Sequence, residues 1–93
     1  MERRHIHVEG TVTGVGFRWF VERHARMYGI NGWVRNRGGS VEIEVEAEGS
    51  VLDAFERALY TSAPQGAQVR AISTRVIAPL GTTGFSVRKS MLE

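Results

Sequence analysis

His5-Ile6-His7-Val8-Glu9-Gly10-Thr11-Val12, followed at once by Thr13-Gly14-Val15-Gly16-Phe17-Arg18-Trp19-Phe20-Val21, is where the chain changes its hydrophobic period. Ile6, Val8 and Val12 fall on one side, and His5, His7, Glu9 and Thr11 on the other. Alternation of that kind predicts a half-buried strand over residues 5–12. From residue 17 the spacing becomes helical. Phe17, Phe20, Val21, His24, Ala25 and Tyr28 make one amphipathic stripe, and Gly29 is suited to close the helix. Between the two periods lies a glycine-bearing turn at Thr13-Gly14-Val15-Gly16.

Working outward, a short strand is predicted over Asn31 to Arg37 and a hairpin turn at Gly38-Gly39-Ser40. The next strand is the cleanest in the chain, with Val41, Ile43, Val45 and Ala47 inward. Glu42, Glu44, Glu46 and Glu48 face the other way and are expected to form a solvated strand face. Ser50 followed by Asp53 reads as a capping-box helix start. The stripe Leu52, Phe55, Ala58 and Leu59 carries that helix to about Ser62, where Ala63-Pro64-Gln65-Gly66 breaks it. Val69 to Ala78 reads as a strand with Ile72, Thr74 and Val76 on one face. A loop follows at residues 79–84, then a short last strand with Phe85 and Val87. The order β-α-β-β-α-β predicts an α+β split β-α-β, or ferredoxin-like, sandwich: an antiparallel sheet with two helices on one face.

The 93 residues are one domain's worth, enough for a single modest core. Hydrophobic residues at 42% and charged residues at 24% exclude a disordered tail, a collagen-like chain and a coiled coil. No apolar run is long enough to cross a bilayer, and no membrane partner is expected. There is no cysteine, which removes disulfides, thiolate metal sites and cysteine nucleophiles and fits a cytoplasmic address. Eleven of the twelve basic residues are arginine, the residue suited to two-pronged contact with phosphate or carboxylate. They are scattered, and the net charge is +2, so electrostatic nucleic-acid binding is not expected.

The chemistry is sought first in Thr13-Gly14-Val15-Gly16-Phe17-Arg18. A strand-to-helix junction leaves the first helical N–H groups without partners, under the positive end of the helix dipole. Glycines let the backbone turn those N–H groups toward an anion, and Arg18 adds a guanidinium beside them. The segment lacks the Lys-Ser/Thr ending of a nucleoside triphosphate loop. Read alone, the same pattern also fits a tight turn with a solvated Arg18. In Gly32-Trp33-Val34-Arg35-Asn36-Arg37, the Asn36 carboxamide could orient a water molecule, or could be a turn residue bonding its own backbone. Arg35 and Arg37 face the glutamates of the following strand. His5 and His7 could reach one metal ion, but a third ligand is not evident and no metal is expected. His24 reads as a partly buried core or cap histidine. Trp19 and Trp33 lie off the main apolar positions, as packing near the sheet edge or as a partner patch.

Taken together, Gly10-Thr11-Val12-Thr13-Gly14-Val15-Gly16-Phe17-Arg18, Gly32-Trp33-Val34-Arg35-Asn36, Val41-Glu42 and Glu48-Gly49 resemble the acylphosphatases, across essentially the whole chain. The resemblance implies a single acylphosphatase-like domain over residues 1–93. It implies hydrolysis of the carboxyl–phosphate bond of small acyl phosphates without metal or cofactor. It also implies phosphate binding by Arg18 and by the loop matching Thr13, Gly14, Val15, Gly16, Phe17 and Arg18, with Asn36 positioning the attacking water. Thr13 stands where the family usually carries Gln, which puts the weight there on the backbone N–H. The hairpin Gly38-Gly39-Ser40 replaces a common Asp-Gly pair. The small size points to a monomer. Val41 to Ala47, Ala63-Pro64 and Phe85 to Ser90 also resemble the amino-terminal domain of the large hydrogenase-maturation carbamoyltransferases, which handles carbamoyl phosphate. A non-catalytic or carbamoyl-phosphate-handling module is thus the alternative. RNA-recognition modules share the strand order but stack bases on sheet aromatics, where this chain places His, Glu and Arg.

Overall fold

The alternation at residues 5–12 becomes an edge-to-edge sheet because each strand keeps one face for the core. The computed structural model describes residues 1–91; Leu92 and Glu93, the last two of the expected 1–93 domain, lie outside the described residues. The elements are β1 (Glu2–Thr11), α1 (Phe17–Met27), β2 (Asn31–Arg37), β3 (Ser40–Ala47), α2 (Gly49–Thr61), β4 (Gln68–Ile77) and β5 (Phe85–Val87). The sheet order is β4-β1-β3-β2-β5. Ile6 sits opposite Ile43, Val8 opposite Val41, and Val34 opposite Ile43. Those side chains meet Phe17, Phe20 and Val21 of α1 and Leu52, Phe55 and Leu59 of α2 in one buried cluster. Both helices therefore cover the same face, as in the expected ferredoxin-like α+β sandwich.

Helix α1 ends as the glycine predicts. Gly29 has φ 68. Its N–H donates to the Arg26 carbonyl at 3.3 Å, and Ile30 N–H donates to Ala25 at 2.8 Å. This is the paired six-to-one and five-to-two closure of a Schellman motif, with Ala25 and Ile30 both in the core. At α2 the capping-box reading is corrected. The N-cap is Glu48, with no side-chain cap bond. Asp53 turns instead to Arg4, 2.9 Å away, where Glu2 and Glu56 also converge.

Strand β5 departs from the all-antiparallel expectation, because it pairs parallel to β2. Strand β4 ends beside Arg3, and β5 begins beside Gly32. The loop at residues 78–84 joins opposite edges by crossing one end of the sheet, which reverses the chain and brings β5 in along β2.

That loop also explains the second correction. The glutamate row is not a solvated face throughout: Glu48 is exposed, but Glu44 is half-buried and Glu42 and Glu46 are buried. Leu80 and Gly81 N–H groups donate to Glu46 at 2.8 and 3.0 Å. Arg3, 1% exposed, bonds Glu44, Glu46 and Thr82. The His5 ring nitrogens lie 2.9 Å from Glu44 and 3.1 Å from Glu42. Arg35 and Arg37 reach Glu42 at 2.7 and 3.2 Å, the pairing expected of them. Trp33 is buried on this face under Arg35 and Arg88, whose guanidinium carbons sit 5.0 and 4.4 Å from its ring centroid. Burial disfavours the Glu42 charge, but Arg35, His5 and Arg37 outweigh it and hold the carboxyl below its usual range. For Glu46 the Leu80 N–H leads, and with Arg3 and the Gly81 N–H it outweighs burial in the same direction.

Candidate active site

The β1–α1 junction is shaped by side chains that go inward and glycines that stay at the rim. Val12 and Phe17 are buried, and Val15 packs against the same core. Gly14 and Gly16 between them are exposed, with φ 71 and 79. A Cβ at either would meet nothing within 4 Å, so the glycines are required by backbone torsion and not by space. Alternating such residues with ordinary ones curls the backbone into a concave loop of the type that gathers N–H donors.

Helix α1 begins on this loop. Its first internal bond runs from Phe20 N–H to the Gly16 carbonyl at 3.0 Å. The N–H groups of Phe17, Arg18 and Trp19 therefore have no acceptor within the helix. There is no acidic residue in the first turn to neutralise the dipole. Val12, Gly14, Gly16, Phe17, Arg18, Trp19 and Asn36 line a cavity of about 170 Å³ here. Among the described residues, Arg18 is its sole charged lining residue.

Asn36 reaches the cavity from β2. It lies opposite Val41 in the sheet and shares the helix-side face with Val34. Its Oδ1 is buried and is the one such side-chain atom without a hydrogen-bond partner among the described residues. The turn-residue alternative, in which the carboxamide oxygen bonds nearby backbone, does not hold. Of the expected loop residues, Gly14, Gly16, Phe17 and Arg18 line the cavity. Thr13 and Val15 flank it.

A further contributor comes from the chain's far end. Arg18 Nη1 donates to Ser90 Oγ at 3.3 Å. Ser90 is brought there by the segment that follows β5 along the edge of β2. Arg88 N–H donates to the Val34 carbonyl at 2.8 Å, and Met91 N–H to the Asn36 carbonyl at 2.9 Å. Seventy-two positions separate Arg18 from Ser90. No local sequence pattern could have joined them.

Larger cavities lie elsewhere; besides one of about 310 Å³ along α2, lined by Asp53, Glu56, Arg57 and Tyr60, two are bigger still. One, of about 460 Å³ on the sheet's other face, is lined by residues including His5, His7, Glu42 and Arg75. The other, of about 440 Å³, lies under the loop at residues 78–84. Their charged groups are largely spent on one another, as at His5, Arg3 and the glutamates. The smaller cavity holds the uncommitted donors and the unpartnered acceptor, and chemistry needs those more than it needs volume.

Fold and cavity together define an α+β sandwich with a small cationic cleft at its first strand-to-helix junction. Comparison with known proteins makes the assignment specific. The acylphosphatase family profile matches residues 4–87. An acylphosphatase of Moorella thermoacetica is 43% identical over 91 residues, 96% of each chain. The crystal structure of acylphosphatase from Bacillus subtilis matches with a TM-score of 0.90 and 37% identity, over 95% of this chain and 99% of that one. Carbamoyltransferase HypF2 of Cupriavidus necator is 42% identical over 89 residues, 95% of this chain and 11% of that protein. The chain belongs to the acylphosphatase family.

Proposed function

We propose that this protein is an acylphosphatase that seats the phosphoryl group of its substrate over the β1–α1 loop. The observation that carries the reading is the buried, unpartnered Asn36 Oδ1 on the wall of the cavity that Arg18 also lines. An acceptor left so costs stability, and a water molecule whose hydrogen it receives would satisfy it.

The chemistry then needs little else. Water attacks phosphorus and forms the new P–O bond. The bridging P–O bond breaks, and its electron pair leaves with the carboxylate. An acyl phosphate dianion plus water thus becomes a carboxylate and dihydrogen phosphate, and the water's protons end on phosphate. The leaving group is already a stable anion and needs no general acid. No His, Asp or Glu lines the cavity among the described residues, so a phosphoryl oxygen of the substrate is the natural proton acceptor. Arg18 and the N–H groups of residues 13–18 stabilise the charge on the phosphoryl oxygens, and Asn36 aims the water.

The reading extends to a monomeric, cytoplasmic enzyme that requires no metal or cofactor. The support is a cysteine-free sequence and a cleft built from one chain's residues. No helix of the described residues is long and apolar enough to cross a membrane. Hydrolysis of benzoyl phosphate in the presence of a chelator is the test. Wild-type protein should turn over. Arg18→Ala should lose about 10²- to 10³-fold in kcat/KM while keeping its fold. An Arg18→Ala variant with wild-type rates would remove Arg18 from the mechanism.

A further inference from the structure

One residue that lines the β1–α1 cavity, Trp19, has a side chain the phosphoryl chemistry does not use. Trp19 is 61% exposed, yet it lines the cavity beside Arg18 and Asn36. Its helix neighbours Phe17, Phe20 and Val21 are buried, so the helical phase turns Trp19 away from the core. Single exposed apolar side chains are ordinary on protein surfaces, and Met27 on the same helix is one. Trp19 differs because it borders the cleft. It is also held in place: Arg23, one turn further on, stacks its guanidinium over the ring at 5.2 Å from the centroid.

The remaining lining residues narrow what can meet the substrate's acyl group. Val12 and Phe17 are buried and form the floor. Gly14 and Gly16 are exposed at the rim but have no side chain. With the phosphoryl group on the loop between Arg18 and Asn36, the acyl group must leave across that rim. Among the described residues that line the cavity, Trp19 is the exposed apolar one.

We propose that Trp19 is the platform for the acyl group, and that it selects acyl phosphates with planar or apolar acyl groups over acetyl phosphate. This rests on the acyl phosphate reading above. An aromatic face gains little from a methyl group and more from a ring or a longer chain that lies flat on it. Trp19 touches no reacting atom and sets specificity alone.

The test is steady-state hydrolysis of acetyl, butyryl and benzoyl phosphate by wild type, Trp19→Phe and Trp19→Ala, with inorganic phosphate as competitive inhibitor. Trp19→Ala should raise KM for benzoyl phosphate about three- to tenfold, and leave acetyl phosphate and the phosphate Ki within about twofold. Trp19→Phe should keep most of the preference. Equal changes for all three substrates, or a phosphate Ki that rises with KM, would overturn the platform. Calorimetric binding of benzoylphosphonate against acetylphosphonate gives a readout independent of turnover. A preference for benzoylphosphonate that survives Trp19→Ala contradicts the proposal, and one that disappears supports it. A wild-type protein inactive on all three acyl phosphates would count against the acyl phosphate reading itself, which is a different result from an active enzyme with unchanged selectivity.

Discussion

The role proposed for Asn36 sets stability against function at one residue. A buried acceptor without a partner costs about 1–3 kcal/mol, and the fold tolerates it at Oδ1. Asn36→Ala removes that acceptor. It should therefore leave the melting temperature unchanged or raise it, while kcat on benzoyl phosphate falls by about 10²-fold. The phosphate Ki should move less than about threefold, because water placement matters only in the transition state. A loss of phosphate affinity as large as the loss of kcat would make Asn36 a binding group instead. Arg18 is the opposite case, a half-buried cation whose loss should cost binding and rate together. Its contact with Ser90 holds the guanidinium from the chain's far end. Ser90→Ala should lower kcat/KM a few-fold with no change in melting temperature, since Ser90 is exposed and Arg18 keeps its charge. A Ser90→Ala enzyme identical to wild type would remove that contact from the account.

Elements bring these residues together, and two glycines make the strands fit. A Cβ on Gly10 would sit 1.9 Å from the Gln68 carbonyl oxygen, and one on Gly32 would sit 1.9 Å from that of Glu44. Gly10 also marks the register shift between β1 and β4 that precedes the β1–α1 loop. Gly10→Ala and Gly32→Ala should each lose about 3 kcal/mol or more in urea unfolding, from overpacking plus torsional strain. Gly14→Ala has the torsional cost alone and should lose about 1 kcal/mol. Equal losses at Gly10 and Gly14 would contradict the distinction. The elements themselves were legible because burying one face imposes a period. Ile6 and Val8, Val41 to Val45, and the α1 stripe all carry it plainly. The burial of Glu42 and Glu46 is hidden from the sequence for the same reason. Alternation says which face is buried against the helices, and nothing about whether the other face stays wet. Arg3 and the loop at residues 78–84 cover it, and they arrive from distant parts of the chain. The start of β1 at Glu2 is not legible in the sequence, because Arg3 and Arg4 look like solvent residues until their carboxylates are in place. Asp53 looked like a cap for the mirror-image reason: its partner, Arg4, lies on another element.

At the scale of the whole molecule, the sheet divides two kinds of electrostatics. One face holds a satisfied network, and the β1–α1 junction holds a cationic cleft with donors to spare. The network gives a pH dependence whose sign is fixed. Glu42 and Glu46 have folded-state values below a glutamate's ordinary 4.5. Their contribution to stability is thus full above pH 4.5 and is lost as pH falls through the lowered folded values. Thermal stability should be flat from neutrality to about pH 5 and decline below it. Glu46→Gln should lower the plateau and shallow the decline; an unchanged acid limb in that variant would show that other groups carry it. The cleft was legible as a glycine loop with Arg18 and a separate Asn36. Their convergence on one small cavity was not, since it depends on the β2–β3 register and on where β1 turns. Titration of the protein with inorganic phosphate, followed by amide NMR, tests that convergence most directly. The account predicts shifts confined to residues 13–19 and the Asn36 carboxamide, and their loss in Arg18→Ala. Shifts centred instead on His5, His7 and Arg75, with the loop silent, would contradict it.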